Sequence, residues 1–459
     1  MNETLDLARF VEELSYDELP IEVQKQAMRL FYDFVGNASY ATKTPAGQII
    51  TDYALASTKP GTCSVFPVFE GRAETSVAAL AMGQLGHGFE LDDVYMGTCL
   101  HPSGPVCAAA LAVAQERGVT GKKLLEAIIA GYEVSIRVGL PLGSSHQDWG
   151  YHATASFTVF GAAAAAAKVL GLDAEHIAWA FGLAGSLASG IKQFSKSVSP
   201  SMVESLHGGK AAQQGVDCAM LAMRGFSGPV DVLEGKVGFV KVFRGKRDED
   251  DIDYGKITEG LGEKYHSMDI SIKPNPNCAT TLTACQCIED FKKDPDFKAE
   301  NVESVHLKTH HNILQAHMDY TPNSVSAAQY STPFSMALNI MYDISDPSPF
   351  LNEKLNEDPE ILAFAQKVTA ELDPEIEALF PEHYGNKLEI TMKDGKVFSG
   401  EYVDYAGSAE NPFSYEQIVD KFRGLVKLVY GDTVAARLEE NMERLPQTTN
   451  VNELFACLR

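Results

Sequence analysis

The run Gly161–Lys168 (GAAAAAAK) constrains this chain more than any other stretch. Alanine is the strongest helix former, and a helix faced with alanine and glycine lets a neighbouring backbone come close. Such a helix is expected to be buried, inside a bundle or at a subunit interface. The surrounding texture agrees with it. Apolar residues recur at three and four, with stops at Gly and Pro, over Glu22–Ala41, Ala73–Glu90, Pro105–Arg117, Lys122–Val138, Phe157–Leu172 and Ala174–Ala188. Most of the chain up to Val240 therefore reads as helical.

Beyond the acidic stretch Asp248–Asp253 the pattern changes. Ser304–Thr309 alternates as a strand does, and Lys387–Met392 and Lys396–Tyr402 flank Asp394–Gly395, which predicts a two-residue hairpin. Helical periodicity covers Ala327–Tyr342 and Glu360–Leu372, then resumes at Ser414–Val429 and Thr433–Glu443. With 459 residues the chain exceeds the usual span of one domain. The expected fold is mainly α with an α+β part: a helical domain over 1–268, a smaller α+β lid domain over 269–408, and a C-terminal segment, 409–459, that rejoins the first domain. No internal repeat or low-complexity linker is evident.

A formal net charge of −24 repels polyanions, and the 38 Lys and Arg residues are scattered. Nucleic acid and anionic membranes are therefore not expected as partners, whereas a small anionic substrate is compatible with a few buried cations. Met1–Phe10 lacks the basic and apolar regions of a signal peptide, and no uninterrupted apolar stretch approaches the roughly 20 residues of a membrane span. A soluble, cytoplasmic protein is expected. Eight cysteines in so long a chain form no disulfide framework or zinc-ribbon spacing and read as reduced structural thiols.

Four stretches could carry chemistry. The first runs from His87 through Glu90, Asp92, Asp93 and Tyr95 to His101–Pro102–Ser103–Gly104, between two apolar helices. The plain alternative is that Asp92 and Asp93 cap a helix and His87 fills a core position, but the density of the cluster favours acid–base work. Metal is a rival here, although no His-x3-His or comparable pair fixes a coordination sphere, so no metal is expected. The second stretch, Trp149–Thr154, places His152 between an aromatic pair and the small-residue helix, where burial can tune its pKa. A third contains Lys192, Lys196, Glu204 and His207, with Gly208 and Gly209 permitting close approach to a helix start that could hold an anion. In the fourth, Lys273 precedes a Pro-stiffened loop ending at Cys278 and could aim an ammonium into a cleft between domains. Its plain alternative is an ordinary surface lysine.

Taken in order, these stretches resemble the MmgE/PrpD family, which includes 2-methylcitrate dehydratase, cis-aconitate decarboxylase and iminodisuccinate epimerase. The resemblance rests on Glu90–Asp93, His101–Gly104, Gly131–Glu133, Gly150–Thr154, Gly161–Ala163, Leu206–Gly208 and Lys273–Pro276. It implies a helical domain completed by the C-terminal segment, a lid domain over the active site, a homodimer and no organic cofactor. Active-site roles then fall on Glu90, His101, His152 and Lys273, with Asp93 as a partner and Tyr95, Lys192, Lys196, Glu204, His207 and Cys278 around the substrate. Three departures stand out. Glu204 occupies a position where the family commonly has lysine, Cys278 one that is often histidine, and Phe334 one where an aromatic hydroxyl is expected. A substrate with fewer or differently placed carboxylates than a tricarboxylate is expected, with Lys192 or Lys196 replacing the lost cation.

The chemistry implied is loss of a proton or CO2 from a carbon next to a carboxylate, with His101 and His152 as proton carriers on opposite faces of the substrate, Lys273 as a donor to the developing charge, and Glu90 or Asp93 orienting one imidazole. Elimination of water from a hydroxy acid is the first expectation, with decarboxylation and epimerisation as alternatives. An iron–sulfur dehydratase is suggested by Cys278, Cys285 and Cys287, but two thiols two residues apart on a helix point about 200° apart. A degenerate, non-catalytic carboxylate-binding dimer is the remaining reading.

Overall fold

The computed structural model describes residues 2–66, 68–143, 145–196, 201–244, 252–351 and 357–458, without the side chains of 68–71 and 196. Two compact units result, one formed by Met1–Ile270 with Ser414–Arg459 and the other by Ser271–Phe413.

The first unit begins with α1 (Glu3–Glu13), α2 (Ile21–Ala41) and α3 (Pro45–Ser57), followed by the small antiparallel pair β1 (Cys63–Val65) and β2 (Val68–Ala73). Next come α4 (Thr75–Gly86), α5 (Ser103–Arg117), α6 (Gly121–Gly139), the single turn α7 (Ser145–Asp148), α8 (Ala153–Leu170), α9 (Ala174–Leu187), α10 (Val203–Ala222) and the short α11 (Phe239–Phe243). Local chemistry marks their ends. Thr120 accepts from the Lys123 amide at the start of α6, and Asp173 does the same for His176 in α9. Gly118 and Gly171 end α5 and α8 at φ 61 and 69, where a side chain would be strained.

Helix α8 is the centre of this unit. It packs on α5, α6, α9 and α10, and every residue from Ala153 to Val169 is buried. The backbones nearly touch: a Cβ on Gly161 would overlap Ser135 Oγ and the Gly131 carbonyl of α6, and one on Gly215 of α10 would overlap Ala162. By length and composition Ala153–Leu170 is also the one helix among the described residues that passes for a membrane span, but 94 % of it is buried inside the protein, as in a core helix.

In the second unit α12 (Leu282–Phe291) precedes β3 (Val302–Thr309), then α13 (His311–Ala316), α14 (Val325–Tyr330), α15 (Thr332–Met341), α16 (Pro359–Ala365), β4 (Val368–Leu372), α17 (Pro374–Leu379), β5 (Asn386–Met392) and β6 (Val397–Tyr402). The four strands form one sheet in the order β4-β3-β5-β6, with β3 and β4 parallel and the other pairs antiparallel. Three expectations need correction. The periodicity over Glu360–Leu372 is not one helix: it breaks after Ala365, and Val368–Leu372 pairs with Val305–Thr309 as a strand. That over Ala327–Tyr342 is interrupted at Ser331, which caps α15 through the Phe334 amide and precedes Pro333 in its first turn. The hairpin loop is longer than two residues: Met392 N–H bonds the Lys396 carbonyl at 2.8 Å, leaving Lys393, Asp394 and Gly395 in the turn, with Gly395 at φ 87.

The chain returns to the first unit as α18 (Tyr415–Tyr430) and α19 (Asp432–Glu443). A capping box between Ser414 and Gln417 starts α18. It then lies along α2, where Phe422 meets Tyr32 edge-on with ring centroids 5.0 Å apart. Lys421 Nζ reaches Asp33 Oδ1 at 2.5 Å and the Leu91 carbonyl at 2.8 Å, so the C-terminal segment touches the loop that carries the first polar cluster.

Because Gly161 admits no side chain, Gly161→Ala should lower stability by about 1–3 kcal/mol through overpacking. Ser135→Ala, which removes one of the two obstructing atoms, should recover part of the loss. Thermal and urea unfolding of both variants measures this, and an unaltered midpoint for Gly161→Ala would contradict the packing described.

Candidate active site

The loop between α4 and α5 does the first work of assembling the site. It contains two residues, Glu90 at φ 58 and Cys99 at φ 48, that are the non-glycine residues with positive φ among those described. That conformation costs roughly 1–2 kcal/mol per residue, so the surroundings must hold it. Tyr95 and Leu100 do so by exchanging hydrogen bonds of 2.8 and 3.2 Å, which folds the chain back and brings His101 beside Asp92 and Asp93. Asp93 Oδ1 then accepts the Ser103 amide at 3.1 Å, at the start of α5.

Four imidazoles gather here. His87 and His101 have ring centroids 5.1 Å apart, His87 and His152 5.8 Å, and His152 and His207 5.1 Å. His87 follows α4, His101 and His152 precede α5 and α8, and His207 lies in the second turn of α10. Phe194 stands edge-on to both His152 and His207, at 5.2 and 5.7 Å. The expected anion site at a glycine-rich helix start is not what Gly208 and Gly209 make. They lie inside α10, and their missing side chains let it press on α4: a Cβ on Gly208 would come within 2.9 Å of His87 Cβ and 3.0 Å of the Gly83 carbonyl.

Asp92 is the charge at the base of the cluster. Its Oδ2 lies 2.6 Å from His87 Nδ1 and 3.5 Å from His101 Nδ1. Burial acts to raise the Asp92 pKa, but His87 and His101 outweigh it and hold the carboxyl well below the usual range. For His87 burial acts downward, and Asp92, with Glu204 and Glu90 behind it, lifts the pKa to about 9. His101 Nδ1 also lies 2.8 Å from the Asp93 carbonyl oxygen, which can only accept. The His101 proton is therefore on Nδ1, leaving Nε2 to accept or donate elsewhere. His152 and His207 face each other Nδ1 to Nδ1 at 2.9 Å, one donating to the other. Burial, then the like charges of His87, His207, His101 and Lys192, push the His152 pKa well down, and burial and His87 bring that of His207 to about 4. Both are neutral at pH 7.

Asp93 is placed differently from Asp92. Its carboxyl is fully buried, 2.7 Å from the Tyr132 hydroxyl, and burial together with Asp33 and Asp92 raises its pKa to about 8. It is the residue's backbone carbonyl, not its carboxyl, that touches an imidazole. Tyr95 also turns elsewhere, packing on Gly97 and edge-on against His266 at 6.0 Å. Lys192 Nζ donates to Gln147 Oε1 at 2.7 Å while its charge acts on His152. Glu90 and Glu204 act electrostatically on His87, and the Lys196 side chain lies outside the described residues.

Lys273 and Cys278 belong to the second unit. Lys273 is 2 % exposed, so it is no ordinary surface lysine, and its charge acts on the buried Tyr405 hydroxyl. Cys278 is buried, with Sγ accepting from Thr280 Oγ1 at 3.3 Å, and Phe334 is buried in the first turn of α15. Cys285 and Cys287 diverge as their spacing requires, one toward Asn277 and the other toward Gly400. Burial raises both thiol pKa values, that of Cys287 to about 12, which keeps them protonated.

His87, Asp92 and His101 bring three potential metal-ligand atoms within 4.8 Å of one another. Their geometry is that of a proton network: 2.6 Å between His87 and Asp92 is a hydrogen-bond length, and His101 Nδ1 already carries a hydrogen. His87, Asp92 and Phe194 enter the site only through the fold. The first two stood in plain view within the motif, but one residue of difference between Asp92 and Asp93 decides which carboxyl faces the imidazoles, and spacing alone does not reveal it.

The chain is similar to known proteins along nearly its whole length. Cis-aconitate decarboxylase of Aspergillus terreus is 25 % identical over 99 % of this chain and 95 % of its own length. Those of Mus musculus and Homo sapiens are each 24 % identical over 98 % of this chain, covering 93 % and 94 % of theirs. Residues 5–251 match the MmgE/PrpD N-terminal domain and residues 276–447 the MmgE/PrpD C-terminal domain. With both domains present in order along most of its length, the chain belongs to the MmgE/PrpD family.

Proposed function

We propose that the protein is a cofactor-independent lyase that acts on a small carboxylic acid by proton transfer at the carbon next to a carboxylate. The observation that carries this reading is the joined set of imidazoles, with His101 anchored through Nδ1–H and the His152–His207 pair kept neutral. In this arrangement His101 Nε2 gains and loses the proton, and Asp92 stabilises the imidazolium when it forms. A placed acid or base of this kind contributes about 10²–10⁴-fold to rate. His152 is the second proton carrier; Lys192 acts on its charge, as Glu90 acts on that of His87. Lys273 is assigned the substrate carboxylate by the family resemblance. A homodimeric, cytoplasmic enzyme is part of the same proposal.

Decarboxylation is the finer reading. Its support is that the relatives aligned over nearly the whole chain, in a fungus and in two mammals, are cis-aconitate decarboxylases. The carbon–CO2 bond breaks, its electron pair passes into the neighbouring carboxylate as enolate-like charge, and a histidine proton is delivered to carbon. Dehydration of a hydroxy acid is the second reading, supported by the neutral His152–His207 pair, which is suited to taking a proton from carbon while His101 protonates the departing hydroxyl. Glu204, one helical turn before Gly208 on α10, favours a substrate with fewer carboxylates than a tricarboxylate.

A panel of unsaturated and hydroxy mono-, di- and tricarboxylic acids, cis-aconitate among them, separates the readings. CO2 release is expected. New alkene absorbance without CO2 would mean dehydration, deuterium uptake alone would mean epimerisation, and ligand-induced stabilisation with no turnover at all would leave a binding protein. His101→Asn and His152→Asn should each lower kcat by about 10²–10⁴-fold with little change in KM. A loss confined to KM would remove that residue from the proton path.

Asp93 gives a test by pH. Its pKa is about 8 in the folded protein against 3.8 for an ordinary aspartate, so between those values the native state binds more protons than the unfolded chain and stability falls as pH rises. Asp93→Asn keeps an acceptor for the Tyr132 hydroxyl without the titration. The melting temperature of the variant minus that of the wild type should therefore climb as pH rises toward 8 and then level off. A difference independent of pH would show that Asp93 is ionised in the native state.

A further inference from the structure

His87 has no part in the reaction proposed above, yet it lies at the centre of the site's contacts. Its ring neighbours both His101 and His152, and its Nδ1 shares Asp92 Oδ2 with His101. One carboxylate oxygen thus serves two imidazoles, of which only one is accessible: the side chains of His87 and Asp92 are each 1 % exposed, that of His101 16 %. The other Asp92 oxygen, Oδ1, is buried and has no hydrogen-bond partner among the described residues. The 2.6 Å bond from His87 is therefore the strong restraint on how that carboxylate is turned. His87 is itself held in place by Gly208 of α10, whose backbone packs against its Cβ.

We propose that His87 is a positioning residue: by fixing the Asp92 carboxylate beside His101 it reinforces the tautomer that the Asp93 carbonyl selects, with the proton on Nδ1 and Nε2 presented to the reacting carbon. The inference rests on His101 as the proton carrier of the proposed reaction. A neutral imidazole chooses between two tautomers, and the choice follows the acceptor at one nitrogen. At His101 that acceptor is the Asp93 carbonyl at 2.8 Å, reinforced by Asp92 at 3.5 Å.

The charge of His87 has a second effect. The groups that act on it are Asp92 and Glu90 in its own loop and Glu204 on α10, which favour the imidazolium; around it stand His101, His152 and His207. A positive His87 opposes protonation of His152 and His207, the same direction in which their burial acts.

Two variants separate positioning from simple support of the fold. His87→Gln keeps a donor for Asp92 without the charge, and His87→Phe removes both. His87→Phe should lower kcat about 10–100-fold, the range seen when a partner behind a functional imidazole is lost, with KM little changed. His87→Gln should recover most of kcat at its optimum and move the acid limb of the pH profile to higher pH, because the charge opposing protonation of His152 and His207 is gone. Equal losses in both variants with an unmoved profile would reduce His87 to a structural residue. Nitrogen-15 NMR of the histidine side chains in the wild type and in His87→Phe needs no substrate. His101 should be the Nδ1–H tautomer in the wild type and gain Nε2–H population in His87→Phe; the same tautomer population in both would overturn the proposal whatever the reaction proves to be.

Discussion

The close approach of α4 and α10 is the constraint on which the rest of the site depends. Gly83, Gly208 and Gly209 leave the two backbones in direct contact, and a side chain at Gly208 would strike His87. Only at that separation does α10 deliver His207 to His152, and so join it to the pair formed by His87 and His101. Helix packing normally sets axes 8–10 Å apart according to the side chains between them, and small residues take the lower end of that range. The alanines and glycines of α8 do the same on its other side, against α6 and α10. Small residues here are the means of bringing polar groups together, and the apolar burial they lack is supplied by α2, α5 and α6 around them.

From that closeness follows the electrostatics. Four imidazoles in so small a volume cannot all be charged, and the buried carboxylate of Asp92 favours the charge on His87. It holds His87 positive, and that charge helps to keep His152 and His207 neutral. Asp93, one residue along, is buried beside Asp33 and Tyr132 and keeps its own proton. Two adjacent aspartates thus take opposite states because the strained loop between Glu90 and Cys99 turns one toward the imidazoles and the other into the core.

Much of this was legible in the amino-acid order. The six periodic stretches before Val240 are helices, with ends displaced by a few residues where Thr120, Asp173, Gly118 and Gly171 supply caps. The expectation of a mainly α chain with an α+β part agrees with the secondary structure. Where periodicity misled, a longer-range partner intervened. Val368–Leu372 continues a helical pattern, yet pairing with β3 makes it a strand, since hydrogen bonds to a distant segment outweigh local preference. His101, His152 and His207 were each visible beside a helix start or a glycine pair. Tyr95 was visible too, and the fold directs it to His266 instead.

By itself the sequence determined which segments before Val240 are helical, that α8 is buried, and that the titratable residues collect at the joints between helices, because periodicity, helix propensity and Gly or Pro stops are local properties. Only the tertiary structure decided that Asp92 and not Asp93 serves the imidazoles, that the His87 pKa is raised while those of His152 and His207 are lowered, and that Gly208 and Gly209 press one helix onto another. Those outcomes depend on burial and on distances of about 3 Å between residues far apart in the chain, where small differences in position reverse which charge is stable.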